Sequence, residues 1–146
     1  MEHLHSEQAR RVWNRVRSEP ESGTLEGLIA LEWAMGAACP VLNRRMGGRC
    51  GPLLTLLARR SRSRWACLQG IAMLAEGRRP PHVHPSIPQG SAGELLRSMC
   101  AQAVETAGLY RQAAGEGDAG GVPAHLGQEQ LRDCARLLEL LGNWDG

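Results

Sequence analysis

Aromatic residues and lysine are the most conspicuous shortages in this sequence. It contains no Phe, one Tyr and four Trp, and all 17 of its basic residues are Arg. Because aromatic rings are so few, Leu, Ala and Met have to fill any core. The absence of Lys, together with the high number of 18 Gly, indicates a bias in codon usage rather than a function. The formal net charge of +2 is too small to imply a polyanionic partner.

Motifs of the common enzyme and disulfide classes are also missing. No nucleophile is paired with a base, and no phosphate-binding loop or dinucleotide fingerprint occurs. The chain has no Cys-x-x-Cys, and its cysteines are odd in number and widely spaced, unlike those of a disulfide framework or a zinc ribbon. We therefore predict small buried thiols at Cys39, Cys50, Cys67, Cys100 and Cys134.

Long apolar runs are absent as well. The first residues are polar and lack the apolar segment of a secretory signal. The longest apolar stretch, residues 28–42, is interrupted by Glu32 and Pro40 and is shorter than the roughly 18 to 20 residues that span a bilayer. We expect a cytoplasmic protein that does not cross a membrane.

What is present is helical periodicity throughout a chain of ordinary globular composition, with 42% hydrophobic and 22% charged residues. The length of 146 residues suits a single domain. A short helix is predicted over 6–18, and Thr24 is a plausible N-cap for the next helix. Four prolines make 78–90 an extended connection. The four long helices are predicted over 24–46, 52–77, 92–114 and 123–142.

This order of helices predicts an all-α fold, an antiparallel four-helix bundle. Two helical hairpins, 24–77 and 92–142, are joined by the long crossover 78–90 and preceded by the helix 6–18. The connections inside the hairpins are short, whereas the crossover is long enough to travel the length of the bundle, which is the ferritin-like topology.

Polar residues interrupt the apolar stripes of three of these helices. The stripes repeat at alternating intervals of three and four residues, the spacing of a packed face. They carry polar side chains inward on the first, second and fourth long helices. These side chains belong to Glu32, Ser61, Arg64, Gln130 and Asp133.

Four short segments of the long helices form a familiar series. They are Leu31-Glu32-Trp33, Leu68-Gln69-Gly70-Ile71, Leu74-Ala75-Glu76-Gly77 and Leu137-Leu138-Glu139-Leu140-Leu141-Gly142. By their order and spacing the chain, from residue 12 to residue 142, resembles the rubrerythrin-like branch of the ferritin-like superfamily. In such proteins each hairpin supplies a Glu on one helix and a Glu-x-x-His on its partner, and together these side chains hold two irons.

Most of the iron ligands that the resemblance implies are replaced. Glu32 matches the first Glu, but Ser61 and Arg64 stand where the first Glu-x-x-His is expected. Gln130 and Asp133 stand at the second Glu-x-x-His. A shift by one residue recovers a Glu at 129, but it puts 129 and 132 on the polar side of the helix.

The Glu of the third long helix can be matched in two ways. The spacing of the stripe places Ala103 at that position, whereas Glu105, two residues away, is the nearest carboxylate. Glu105 lies about 100° from the stripe and is predicted to be exposed. A residual metal site would have to be built from Glu32, Asp133 and Glu105.

A guanidinium on the inward stripe of a helix argues against an iron site. Arginine is always protonated and cannot be a metal ligand, so Arg64 would add repulsion where the metals are expected. A buried arginine must be paired. We predict that Arg64 is paired with Glu32, with Asp133 or with both, and that the chain holds no metal and no cofactor.

Three classes of function follow. The first is a ferritin-like protein that has lost its di-iron site and acts as a non-catalytic binding or structural protein. The second is a redox protein with an atypical residual iron site, which the missing Cys-x-x-Cys electron-transfer module disfavours. The third is an anion or nucleic-acid binder that uses the helix face bearing Arg59, Arg60 and Arg62, although a solvated face is the more ordinary reading.

Two weaker expectations complete the analysis. His82 and His84 lie on one side of an extended segment, but without a third ligand nearby a solvated loop is predicted. Trp33 and Trp65 lie beside the apolar stripes of their helices rather than on them. Together with the association usual in the family, this favours a homodimer.

Overall fold

Four long helices make up almost all of the computed structural model, which describes residues 23–77, 85–115 and 121–144. No strand occurs in these three ranges. The helix predicted over 6–18 lies outside them. The helices are α1 (Thr24–Arg45), α2 (Gly51–Glu76), α3 (Ala92–Gly115) and α4 (Val122–Asn143).

The helix ends follow local chemistry and correct one prediction. Thr24 is the first residue of α1 rather than its N-cap, because Gly23 occupies the capping position with φ of 99°, a value that glycine adopts without strain. Gly77 ends α2 with φ of 73°, as expected. Ser91 precedes α3, and its hydroxyl accepts a hydrogen bond from the backbone N–H of Glu94 at 3.1 Å, which caps the helix.

The helices pack in pairs around a shared core. α1 packs along α2 and α3, α3 packs along α4, and α2 and α4 meet at only a few points. All four helices contribute to each of two apolar clusters. The first cluster surrounds Leu42, Leu57, Leu96 and Leu137. The second surrounds Leu28, Leu68, Tyr110 and Leu126.

Part of the proline-rich connection is described. Residues 85–90 contain no helix or strand, in line with the extended connection that was predicted. Ile87 packs against the first cluster, and the carbonyl of Pro88 accepts a hydrogen bond from Arg45 Nη1 at 2.8 Å. The connection therefore passes the end of α1 before it enters α3.

Within the described residues, α1 is the one helix long and apolar enough to cross a membrane by length and composition. Half of its most apolar stretch is buried inside the fold. Because α1 packs on two other helices and contributes to both clusters, its composition is also that of a core helix.

Candidate functional site: a buried ion-pair network

The five polar residues predicted to face the core are brought together by all but one of the helices. They are buried and line one small cavity, together with Ala103 of α3. These residues are Glu32, Ser61, Arg64, Gln130 and Asp133. The structure does not bring Glu105 to this place, because Glu105 is exposed on α3, and Ala103 holds the inward position instead.

Arg64 is the centre of the site and is 2% exposed. Its Nε donates to Glu32 Oε2 at 2.5 Å, and its Nη2 donates to Glu32 Oε1 at 3.3 Å. Its Nη1 donates to Asp133 Oδ2 at 2.8 Å and to Glu129 Oε1 at 3.0 Å. Nη2 also reaches Ser61 Oγ at 3.3 Å. A guanidinium has five N–H donors, and all five are used.

Three residues of this network were not predicted from the sequence. Glu129 was placed on the polar side of α4, yet it bonds to Arg64. Arg60 was expected on a solvated face, but its Nε donates to both oxygens of Asp133, at 2.9 and 3.0 Å. Arg136 Nη1 also reaches Asp133 at 3.2 Å. A partial signal exists, because 129 and 60 each lie one helical turn before an inward charge.

The network is electrically balanced and graded in exposure. Three guanidinium groups face three carboxylates. Glu32 and Arg64 are buried, whereas the side chains of Arg60, Glu129 and Arg136 are 27%, 31% and 42% exposed. Charges therefore run from the centre of the core to the surface between α2 and α4, the helices that otherwise meet at few points.

Tyr110 of α3 donates a further hydrogen bond to Glu32. Its hydroxyl donates to Glu32 Oε2 at 2.6 Å, a contact that the sequence analysis did not predict. Gly127 of α4 leaves room for this ring, since a methyl group there would lie 3.0 Å from Tyr110 Cβ. Glu32 thus accepts hydrogen bonds from two helices other than its own, which satisfies a carboxylate that is 1% exposed.

The surroundings of Arg64 and Tyr110, the two donors to Glu32, keep both side chains protonated. Burial alone lowers the pKa of Arg64, but the hydrogen bonds and negative charges of Glu32 and Asp133 outweigh burial and raise this pKa above its ordinary value. Burial, with the charge of Glu32, raises the pKa of the Tyr110 phenol. Arg64 is therefore a permanent cation, and Tyr110 is a permanent donor.

The remaining space at the site is small. The cavity lined by these residues measures about 10 Å³, about the minimum that one water molecule requires. Gln130 Nε2 donates to the carbonyl of Ala103 at 2.9 Å, while Gln130 Oε1 has no partner among the described residues. The guanidinium of Arg64, rather than open space, fills the centre.

A pair of irons does not fit this donor set. Glu32, Glu129 and Asp133 are the carboxylates available, and each is bonded to the cation Arg64. The permanent charge of that cation opposes metal at the same place, and nitrogen donation from guanidinium is excluded by its protonation. In the described part of the chain, no three His, Cys, Asp or Glu side chains are grouped as metal ligands would be.

The other residues singled out in the sequence have mixed outcomes. Arg59 and Arg62 are exposed, as expected. The prediction of buried thiols is wrong for Cys50, which is half-buried, and for Cys67, which is exposed. Cys50 precedes α2 as its N-cap residue, and Cys67 lies off the stripe that α2 buries. His82 and His84 lie outside the described residues.

The two tryptophans beside the apolar stripes contact each other. The ring centroids of Trp33 and Trp65 are 4.6 Å apart with an angle of 40° between the ring planes, and both residues are half-buried. Part of the apolar surface that favoured a homodimer is therefore covered within the chain, and the homodimer stays a prediction.

Known proteins do not identify the function of this site. No family model, curated protein or solved structure matches the chain. The network itself is therefore the basis for any statement about function.

Alkaline conditions should destabilise the fold. Burial raises the pKa of Cys39 to about 12 and that of Cys100 to about 11, from an ordinary value of 9.0, and it also raises the pKa of Cys134. These thiols stay protonated in the folded state but ionise in the unfolded chain, so unfolding releases protons and stability falls as pH rises above about 9. Each fully ionised group contributes about 1.4 kcal/mol per pH unit.

Urea denaturation between pH 8 and pH 10.5 measures this slope. The Cys39→Ala variant is the control, because it removes one titrating thiol and should flatten the decline by about one group. A free energy of unfolding that is constant over this range would contradict the expected burial of the thiols.

Proposed function

We propose that this chain is a non-catalytic binding or structural protein of the ferritin-like type, in which an arginine takes the place of a di-iron centre. The observation that carries the proposal is the buried guanidinium of Arg64, bonded at once to Glu32 of α1 and to Asp133 of α4. Its charge neutralises the carboxylates that a metal would otherwise need to neutralise. A site so neutralised has no remaining demand for a cation.

The order of contacts supports an antiparallel, ferritin-like bundle. Asn43, near the end of α1, lies beside Gly51 at the start of α2, whereas Glu32 pairs with Arg64 further along. Such pairing is that of two helices running in opposite directions. Gly93, near the start of α3, lies beside Trp144 after the end of α4, which is the same arrangement in the second pair.

The length of the crossover agrees with this topology. Arg45 at the end of α1 bonds to Pro88 just before α3, so α3 starts at the end of the bundle where α2 also starts. The end of α2 and the start of α3 are therefore separated by about the length of α2, whose 26 residues rise about 39 Å at about 1.5 Å per residue. Thirteen extended residues reach about 43 Å, which suffices.

The metal content of the purified protein tests the proposal. After expression in iron-supplemented medium we expect iron far below one atom per chain, measured by inductively coupled plasma mass spectrometry. We also expect that Fe(II), Zn(II) or EDTA leaves the Tm unchanged, since a ligand that binds only the folded state raises stability. A content near the two irons of a di-iron centre, or a Tm that rises with metal, would contradict the proposal.

A variant with restored ligands provides the positive control. Ser61→Glu combined with Arg64→His places a Glu-x-x-His beside Glu32 and Asp133, so it should gain Co(II) binding, detected by visible absorption. The control variant, Ser61→Gln with Arg64→Asn, puts neutral amides in place of the carboxylate and the imidazole and should not bind. If the first variant is folded by circular dichroism and does not bind Co(II), Arg64 does not occupy a metal position.

A further inference from the structure

A second concave site lies on the outside of the helix pair α1 and α2. It is a groove with a volume of about 420 Å³, which is within the range of about 300 to 1,000 Å³ typical of small-molecule sites. Pro40 is its exposed apolar residue, and the buried residues Cys39, Leu54 and Ala58 lie beneath the groove as its floor. The groove is therefore large enough for a small organic molecule and offers such a molecule apolar contact.

The charged part of the groove is entirely positive. Arg44, Arg59 and Arg62 line it, and no carboxylate does. All three are exposed, and within the described ranges none of them forms an ion pair, unlike Arg60 and Arg64. Three unpaired guanidinium groups around one concavity create a positive potential that attracts an anion.

One of these arginines is held in place by a glycine on the opposite helix. The stem of Arg62 crosses α1 at Gly36, where an added methyl group would lie 3.2 Å from Arg62 Cγ and 3.5 Å from its Nε. The absence of a side chain at Gly36 therefore lets Arg62 lie close against α1. Packing of the stem limits the freedom that the guanidinium would lose on binding a ligand.

We propose that this groove binds a small organic anion with an apolar body and a phosphate or carboxylate head group. The head group would accept hydrogen bonds from Arg59 and Arg62 in the planar, paired manner that guanidinium offers to oxyanions. The apolar body would lie against Pro40, which is the exposed apolar residue of the groove. The limited size of the groove favours such a molecule over a nucleic acid, whose phosphates follow an extended track.

The groove is separate from the buried network. Cys39 lies between them, fully buried, with its thiol influenced by Arg62 on one side and by Asp133 on the other. Burial raises the pKa of this thiol to about 12, so the thiol is neutral and does not act as a nucleophile. The inference goes beyond the proposed function, and its failure would leave the metal tests unaffected.

Calorimetric titration of the full chain tests the groove with four probes. Phenyl phosphate and benzoate carry an apolar ring and an anionic head group, inorganic phosphate lacks the ring, and benzyl alcohol lacks the charge. We expect saturable binding of phenyl phosphate, benzoate or both in the millimolar range or tighter, weaker binding of inorganic phosphate and none of benzyl alcohol. The stronger of the two organic anions identifies the head group.

Two substitutions separate this site from general charge. Arg59→Gln and Arg62→Gln should each weaken binding of the organic anion by about tenfold or more, because each removes hydrogen bonds to a charged group. Arg132→Gln is the matched control, since Arg132 is an exposed arginine of α4 outside the groove, and it should leave the Kd unchanged. All three positions are exposed, so circular dichroism should show an unchanged fold.

Four results would overturn the proposal. They are the absence of saturable binding of either organic anion at millimolar concentration, equal binding of inorganic phosphate and phenyl phosphate, an equal effect of Arg132→Gln and Arg59→Gln, and displacement of the anion by an oligonucleotide that binds more tightly. The last result would assign the arginines to nucleic acid.

Discussion

The variant Arg64→Met should lower the free energy of unfolding by about 3–5 kcal/mol, the usual effect of removing one partner from a buried ion pair. The loss comes less from the bonds themselves than from what remains. Glu32 would be left as an unpaired carboxylate that is 1% exposed, with Tyr110 as its one remaining donor in the network. Urea denaturation followed by circular dichroism measures this change.

The matched control is Arg132→Met, the same substitution at an exposed position of the same chain. It should change stability by no more than about 0.5 kcal/mol. If Arg64→Met is as mild as this control, then Arg64 is not the internal counter-charge of the core.

Removing the buried charges together should restore more than half of that stability. In the variant Arg64→Met, Glu32→Gln, Asp133→Asn, no unpaired charge stays in the core, and the unpaired charge is the main source of the cost of breaking a buried pair. The partners left behind can be hydrated, since the side chains of Glu129 and Arg60 are about one-third exposed or slightly less. Tyr110 can still donate, now to the amide oxygen at position 32.

A thermodynamic cycle measures this recovery. The sum of the three single losses should exceed the loss of the triple variant by several kcal/mol, because the three residues contact one another and their effects are coupled. Losses that simply add would show that the three side chains act independently, against the contacts of Arg64 with both carboxylates.

The inward direction of Arg64 could be predicted because helical spacing determines which face a residue occupies. Intervals of three and four residues place Arg64 between Ser61 and Leu68 on one stripe, and all three are buried. The same rule placed Asp133 and Glu32 in the core and Glu105 at the surface. The number and order of the four long helices followed from breaks at glycine and proline, as the bounds of α1 to α4 show.

The contacts that the sequence did not predict depend on the reach of long side chains and on how the helices pack. Glu129 and Arg60 start from partly exposed positions beside the stripe, and their long side chains then reach sideways to Arg64 and Asp133. Spacing along one helix gives the direction of Cβ but not the reach of a flexible side chain. The bond from Tyr110 to Glu32 depends on how α3 lies against α1, which no single-helix pattern contains.

The position of the network between the two apolar clusters has a consequence for how uniquely the chain folds. A core of Leu, Ala and Met can repack in several ways with little change in energy, and sliding one helix along another by a turn would still bury apolar surface. Such a slip of α2 would separate Arg64 from Glu32 and leave two charges unpaired in the interior. We therefore expect the charged layer to set the alignment of the helices, as a buried polar residue sets register in a coiled coil.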